Sequence, residues 1–304
     1  MYYKDQAEEL RNMVKQQSEN TSTDTTRQAR ILTVTSGKGG VGKSNTAVNL
    51  AIQFRRLGKR VIIFDADFGV ANVEVMFGTV PTYSLKDVIY GDMQIADIIT
   101  EGAMEIGFIS GGSGIVELSD LTHEQVERVI DSLSDLNRLT DILIIDTGAG
   151  VGSNVMDFVV ASPDVILVST PEPSSLTDSY SLLKGLYNDS RFDREKTKVH
   201  LLANRVRSMD EADAIYEKLD SVVARFLDGN LSYLGVIPQD AYLENAVRKQ
   251  KIVSLVSPSA KSSKAYEKAA ARLLEVDYEQ EKGHWTLTGF FRSLIRPRAE
   301  VAGI

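Results

Sequence analysis

Residues 31–44 have the sequence ILTVTSGKGGVGKS, in which a short apolar run passes directly into a glycine-rich run that ends in lysine and serine. The second part fits the spacing G-x-x-x-x-G-K-[ST], and a helical pattern over residues 43–57 follows it, as this motif requires. Glycines allow successive backbone N–H groups to converge on phosphate oxygens, and the N-terminus of the following helix adds its dipole. The stretch therefore predicts a strand, a phosphate-binding loop and a helix.

The residues of this loop have distinct expected contacts with a nucleoside triphosphate. Lys43 reaches the β- and γ-phosphates, the Ser44 hydroxyl binds Mg²⁺, and Asn45 touches the α-phosphate. The other expected phosphate contacts come from Gly37, Lys38, Gly39, Gly40, Val41 and Gly42. The expected cofactors are therefore ATP or ADP with Mg²⁺.

Short, β-branched, apolar segments recur along the chain and alternate with helical patterns. The predicted strands are residues 31–35, 61–64, 105–109, 141–145, 165–169, 198–203 and 231–237. The predicted helices are residues 43–57, 123–137, 176–188 and 209–226. Fully apolar strands suit a parallel sheet that is covered on both sides. We therefore expect an α/β fold, a doubly wound, mostly parallel sheet of seven or more strands with helices on both faces.

The composition narrows the functional classes. The 304 residues include 34 Lys and Arg against 42 Asp and Glu, a net charge of -8, which argues against broad nucleic-acid binding. The absence of cysteine excludes disulfides, thiolate metal sites and iron–sulfur clusters. The N-terminal region is polar, and no apolar run is long enough to cross a bilayer. We expect a cytoplasmic protein whose membrane contact is peripheral.

Two more apolar strands end in aspartate. Residues 62–67 end in Asp65 and Asp67, and residues 141–146 end in Asp146, the Walker B form that holds Mg²⁺. A carboxylate at a strand end beside the phosphate loop can orient the attacking water or hold a metal-bound water. The alternative for Asp65 and Asp67 is that one or both cap the next helix.

The complete loop, with Lys38 directly after the first glycine, resembles the deviant Walker A motif of the MinD/ParA class of P-loop ATPases. In that class the signature lysine reaches across a dimer interface to the other subunit's nucleotide, as an arginine finger does. The resemblance implies an ATP-dependent homodimer in which Lys38, Lys43 and Asp67 are catalytic. Asp67 would orient the lytic water, and Asp65 would lie in the outer metal shell. The alternative for Lys38 is a solvated loop cation.

The resemblance also implies the position of the adenine. The strand that ends in Asn204 and Arg205 resembles the family's Asn-Arg strand, whose Asn contacts the adenine edge and whose Arg can stack on the base. The loop that closes over the adenine would supply Pro238, Gln239 and Asp240. Taken alone, each is a strand-to-loop junction that also suits a structural role. The resemblance covers residues 29–275, the expected ATPase domain, but the Gly148 loop departs from the usual Pro-Ala-Gly.

The first 28 residues hold a short helical pattern and a polar tether. Residues 5–11, Asp-Gln-Ala-Glu-Glu-Leu-Arg, resemble the Asp-Gln-Ala-x-x-Leu-Arg motif of the flagellar-number regulators of FlhG/FleN type. In that family the segment docks on a partner GTPase of signal-recognition type (FlhF type) and stimulates it. The residues implied in this activation are Asp5, Gln6, Leu10 and Arg11. The alternative for residues 1–28 is a solubilising N-terminal helix with its tether.

The last region, residues 276–304, is Glu-rich and then abruptly apolar. On a helix at about 100° per residue, one apolar face collects Leu287, Phe290, Phe291, Leu294 and Ile295. Such a short cationic helix resembles a membrane-targeting tail of the MinD kind. The alternative is a helix packed on the domain. Both could hold in turn, with the helix docked in the monomer and released with ATP.

The expected function is an ATP-dependent switch that controls the number and placement of flagella. ATP would favour a membrane-bound homodimer, slow hydrolysis would return a cytosolic monomer, and flagellar switch-ring proteins are further expected partners. A division-site ATPase of MinD type shares every core motif and the tail, but gives residues 5–11 no purpose. A DNA-partitioning ATPase of ParA type fits the acidic composition less well. Both stay open as alternatives.

Overall fold

The computed structural model of the protein describes residues 28–67, 72–91, 93–112, 132, 135–275 and 287–295. Within this part of the chain, eight strands form one sheet: β1 (Arg30–Thr35), β2 (Val61–Ala66), β3 (Thr100–Glu101), β4 (Gly107–Ser110), β5 (Ile142–Thr147), β6 (Asp164–Ser169), β7 (Lys198–Val206) and β8 (Ser232–Pro238). Their spatial order is β3-β4-β2-β5-β1-β6-β7-β8. Only the pairing of β3 with β4 is antiparallel.

The helices of the described residues cover both faces of this sheet. They are α1 (Lys43–Arg56), α2 (Asn72–Phe77), α3 (Leu85–Ile89), α4 (Leu136–Leu139), α5 (Ser153–Ala161), α6 (Pro173–Asn188), α7 (Met209–Val222), α8 (Ala241–Arg248), α9 (Val253–Val256), α10 (Lys261–Glu275) and α11 (Leu287–Ile295). None of them combines the length and the apolar character that crossing a bilayer requires.

The predicted doubly wound α/β fold is confirmed, with differences at the edges of elements. The strand expected from residue 105 begins at Gly107, because Met104 and Glu105 both have positive φ angles and cannot extend it. The helix expected to reach residue 226 ends at Val222, where a π-helical turn follows. Most of the helix predicted at residues 123–137, and all of residues 5–11, lie outside the described residues.

Alternation along the central strands sends side chains to opposite faces of the sheet. In β1, Leu32 and Val34 pack with residues of α1 and α10 such as Phe54 and Tyr266. Ile31 packs on the other face, against α3, α5 and α11. Since both faces are covered, the strands read as continuous apolar runs, and their carboxyl ends are left to form a functional edge.

The C-terminal helix α11 packs on the domain through the apolar face that the sequence predicted. Leu287, Phe290, Phe291 and Leu294 are all buried. The ring centroid of Phe291 lies 6.5 Å from that of Phe64 in β2. The described structure is thus the docked arrangement, in which these side chains contact protein. The side chain of Ile295, the fifth predicted member of the face, lies outside the described part of the chain.

Candidate functional site

The glycine-rich run forms the loop between β1 and α1, and contacts from distant strands fix its backbone. Gly42, at the N-cap of α1, has a φ of 100°, a conformation that favours glycine. Asn204, in β7, donates from Nδ2 to the Val41 carbonyl over 2.7 Å. A Cβ on Gly42 would lie 2.5 Å from this same nitrogen. The shape of the loop therefore depends on Asn204 as well as on its own glycines.

Gly37 meets a packing requirement at the other end of the loop. Helix α6 comes so close that a Cβ at Gly37 would overlap the backbone of Asp178 and Ser179. Beside it, the Ser36 carbonyl accepts a 3.0 Å hydrogen bond from the Gly150 N–H in the loop after β5. The phosphate loop is thus joined to α6 and to the loop that follows the Walker B strand.

Asp146 ends the apolar part of β5 beneath the phosphate loop, and its carboxylate suits a cation. It is fully buried, and no hydrogen bond of ordinary geometry from the described residues satisfies either oxygen. Burial and the Asp65 charge raise the pKa of Asp146 to about 8, against the opposing effects of the nearby Ser44 hydroxyl and Lys43 ammonium. A buried carboxylate of this kind requires a counter-charge. Together with the Ser44 hydroxyl it fits the oxygen donors that Mg²⁺ prefers.

Lys43 is the lysine of the phosphate loop that lines the cleft. Burial lowers the pKa of Lys43, while the charges of Asp146 and Asp67 act in the opposite direction. These carboxylates lie close enough to stabilise the ammonium in the absence of phosphate. Lys43 thus lines the cleft, and its contact with the β- and γ-phosphates stays a prediction.

Asp65 and Asp67 have different surroundings. Asp65 accepts hydrogen bonds from the Asp67 N–H at 3.2 Å and the Val73 N–H at 3.1 Å, which is the capping alternative. Burial raises the pKa of Asp65 to about 6, despite those two N–H groups. Asp67 lines the cleft, and its Oδ1 lies 3.7 Å from where a Cβ on Gly148 would be. Asp67 thus faces the loop after β5, while an outer-shell metal role for Asp65 stays a prediction.

Lys38 is turned away from the phosphate cleft. Its Nζ donates to Glu172 Oε2 over 2.7 Å and to Ser174 Oγ over 2.8 Å. Glu172 is the N-cap residue of α6, and its hydrogen bond and charge contact with Lys38 lower the pKa of Glu172. In this structure Lys38 is therefore paired within its own chain and is not a freely solvated cation. No motif or periodicity points to Glu172, which lies far along the chain from Lys38.

A cavity of about 380 Å³ adjoins the phosphate loop at the position where the adenine is expected. Its lining includes the five predicted residues Asn204, Arg205, Pro238, Gln239 and Asp240. Two of them differ from expectation in the use of their side chains. Asp240 caps α8 through the Tyr242 N–H and accepts two hydrogen bonds from Ser262, so its carboxylate has a structural role. The Asn204 amide is used on the phosphate loop.

The phosphate cleft itself has a cavity of about 490 Å³. One side is formed by the loop from Gly39 to Asn45, with Asp67 and Arg205. The rest of the lining consists of residues that the sequence did not predict, from α2, from the loop after β5, from the end of α8 and from the connection that follows it. The residue at the end of α8 is Val247, and those of the connection are Gln250 and Lys251. They belong to no motif, and only tertiary structure brings them to the cleft.

Comparison with known proteins agrees with this geometry. Residues 32–253 match the family model described as the CobQ/CobB/MinD/ParA nucleotide binding domain. The chain is 39% identical over 244 residues to the antiactivator FleN of Pseudomonas aeruginosa, which covers 80% of this chain and 86% of that protein. It is 33% identical over 271 residues to the flagellum site-determining protein YlxH of Helicobacter pylori, covering 88% and 90%.

Solved structures support the fold. The septum site-determining protein MinD of Pyrococcus horikoshii, complexed with Mg-ADP, aligns with a TM-score of 0.64 and 23% identity, over 81% of this chain and 96% of that chain. The family match and the two flagellar relatives decide membership: the chain belongs to the CobQ/CobB/MinD/ParA family of nucleotide-binding domains, in the MinD/ParA class and of FlhG/FleN type.

Proposed function

We propose that this protein is an ATPase switch that regulates the number and placement of flagella, with ATP or ADP and Mg²⁺ as its cofactors. The flagellar role is supported by the similarity to FleN and YlxH over most of each chain. The observation that carries the ATPase role is that Lys43, Ser44 and Asp67 line one cleft, with the buried Asp146 carboxylate close to Lys43 and Ser44.

In the proposed hydrolysis, the backbone N–H groups of the loop and the Lys43 ammonium bind the phosphates and hold them in line. Ser44 and Asp146 would hold Mg²⁺, which offsets the charge that develops on the phosphates. The Asp67 carboxylate accepts a hydrogen bond from the attacking water and thereby orients it. No other described residue of the cleft presents a carboxylate at its lining.

The switch would act through Lys38. In the described structure its ammonium is held by Glu172 and Ser174 of the same chain. If Lys38 serves the nucleotide of a second copy, this intrachain contact must break on dimerisation. The contact is partly solvated, with a side-chain exposure of 35% for Lys38, so its loss is readily offset by a charge-assisted contact to phosphate.

The tail would report the state of the cleft to the membrane. Phe291 contacts Phe64, the residue directly before Asp65, and Phe290 contacts Phe158 in α5, which follows the loop after β5. Movement of either segment on ATP binding would disturb the surface on which α11 rests. We propose that α11 then leaves the domain and inserts its apolar face into anionic lipid. Two tails in a dimer would bind by avidity.

The N-terminal segment would deliver the output to partners. Residues 5–11 are proposed to stimulate the flagellar GTPase of FlhF type, with Gln6 near that protein's nucleotide. Flagellar switch-ring proteins are the other proposed partners. Through these interactions the switch would act on other proteins, while ATP hydrolysis in the cleft would set how long it is active and the tail would bring it to the membrane.

The test is Asp67→Ala. We expect hydrolysis to fall at least about a hundredfold, the range for loss of a group that positions or deprotonates a nucleophile. The variant should also elute as a dimer with ATP in size-exclusion chromatography. Asp213→Ala, which removes an exposed carboxylate of α7, is the matched control. If Asp67→Ala hydrolyses ATP at the wild-type rate, the assignment of the water-positioning role is wrong.

A further inference from the structure

The phosphate cleft has one wall that belongs to none of the sequence motifs. It is formed by Val247 near the end of α8 and by Gln250 and Lys251 in the connection between α8 and α9. These residues line the same cavity as Lys43 and Asp67. A group on this wall faces whatever the phosphate loop binds, so its chemistry bears on the nucleotide.

The backbone of this wall is fixed. Gln250 has a φ of 52°, and its N–H bonds the Val247 carbonyl at 3.0 Å, while the Lys251 N–H bonds the Ala246 carbonyl at 2.8 Å. This is a Schellman motif at the end of α8, with glutamine where glycine is usual. Ile252 follows at once and is buried in the core. Lys251 is therefore placed at the cleft by a strained turn on one side and a core anchor on the other.

Besides Lys251, the described cations that line the cavity are Lys43 and Arg205, and the other lysine of the phosphate loop is bound by α6. The Lys43 charge is already opposed by Asp67 and Asp146. A nucleoside polyphosphate would add several negative charges to this balance. Among the described residues, no carboxylate forms an ion pair with the exposed Lys251.

We propose that Lys251 is a phosphate-binding residue of this site, whose ammonium contacts the polyphosphate of the nucleotide bound in the same chain. This deepens the proposed function, because it assigns a further residue to the same cleft and rests on that cleft binding a nucleotide. Lys249 is two residues away and is also exposed, but does not line the cavity. It provides a control for general charge effects.

The experiment is a calorimetric titration of the full chain with Mg-ADP at two salt concentrations. ADP is the probe because it is not hydrolysed and does not carry the γ-phosphate proposed to drive dimerisation. Lys251→Ala should weaken ADP binding about five- to tenfold, as expected for a solvent-accessible charge-assisted contact, and the loss should shrink at high salt. Lys251→Arg should bind within about twofold of wild type, since the charge is retained.

Two results would overturn the proposal. One is ADP binding by Lys251→Ala within twofold of wild type, in a series where Lys43→Ala is clearly weakened. The other is an equal loss in Lys249→Ala, which would indicate a general effect of surface charge. Thermal unfolding of each variant checks that the fold is intact. Failure of the switch would be seen differently, as wild-type hydrolysis by Asp67→Ala with ADP binding unaffected.

Discussion

Replacing Phe290 by alanine should separate docking of the C-terminal helix from folding of the rest of the protein. The Phe290 ring is fully buried. Its centroid lies 6.4 Å from that of Phe158 and 4.9 Å from that of Phe291. None of the described side chains of α11 lines the phosphate cleft. Losing its contacts should therefore release the helix and leave the cleft assembled.

The expected effect of Phe290→Ala on docking of α11 follows from the burial of the phenylalanine ring. Truncation of a buried phenylalanine to alanine costs about 3–5 kcal/mol. Since about 1.4 kcal/mol corresponds to a factor of ten, even the lower value shifts the balance from docked to undocked helix at least about a hundredfold. Three other buried side chains, Leu287, Phe291 and Leu294, contribute roughly 1.5–3 kcal/mol each to docking. Losing Phe290 alone thus removes a large share of the total.

The assay is sedimentation with vesicles that contain phosphatidylglycerol, with and without ATP. Wild type should sediment mainly with ATP, whereas Phe290→Ala should sediment weakly but without regard to nucleotide. Limited proteolysis at the tail should accelerate in the same variant. Phe226→Ala is the control, because this phenylalanine is 72% exposed and its loss leaves α11 unchanged.

The reasoning would be refuted by a Phe290→Ala protein that still requires ATP to sediment and whose tail resists protease as in wild type. A large fall in the midpoint of thermal unfolding, together with loss of ADP binding, would also refute it. In that case α11 would be an integral part of the core instead of a separable element.

Three further predictions concern other parts of the chain. Glu172→Gln removes the charge that holds Lys38, so dimerisation should need about two- to fivefold less ATP, as read by analytical ultracentrifugation; an unchanged midpoint would contradict this. A peptide of residues 1–20 should accelerate GTP hydrolysis by the flagellar GTPase, and Gln6→Ala should abolish the effect; absence of stimulation would favour a division-site role. Burial works to raise the pKa of Asp164, but its buried partners His200 and Arg30 hold that pKa below its usual value. The ionised carboxylate therefore contributes stability above about pH 4, and this contribution is lost as the pH falls through the pKa of Asp164 in the folded protein. Asp164→Asn should lower the free energy of unfolding at pH 7 by about 1–3 kcal/mol, as measured by urea unfolding. Near pH 3 the difference in free energy of unfolding between the variant and wild type should be smaller.

Structural features that depend on local geometry could be predicted from the sequence. The loop from Gly37 to Ser44 could be predicted with its strand and helix, because phosphate binding needs N–H groups that are consecutive in the chain. Asp67 and Asp146 followed from the rule that parallel strands present their carboxyl ends at one edge. The apolar face of α11 followed from helical periodicity.

Contacts between distant segments could not be predicted. No spacing rule links Lys38 to Glu172, or places Lys251 opposite Lys43. The side-chain uses of Asn204 and Asp240 were missed for a related reason, since a polar residue at a strand end can serve the ligand or its neighbours with equal ease. The π-helical turn after Val222 and the two-residue strand β3 leave too short a pattern to detect.

The docked position of α11 has a consequence for how the switch could be tuned. The same apolar side chains pack against Phe64 and Phe158 and are proposed to enter lipid. A more hydrophobic tail would therefore gain affinity for both environments, and the point at which it changes sides would move little. Substitutions at Phe158 act on the protein side alone. The balance between docked and lipid-bound α11 would thus be adjusted by substitutions in the domain. Substitutions that change the hydrophobicity of the tail itself would have little effect on that balance.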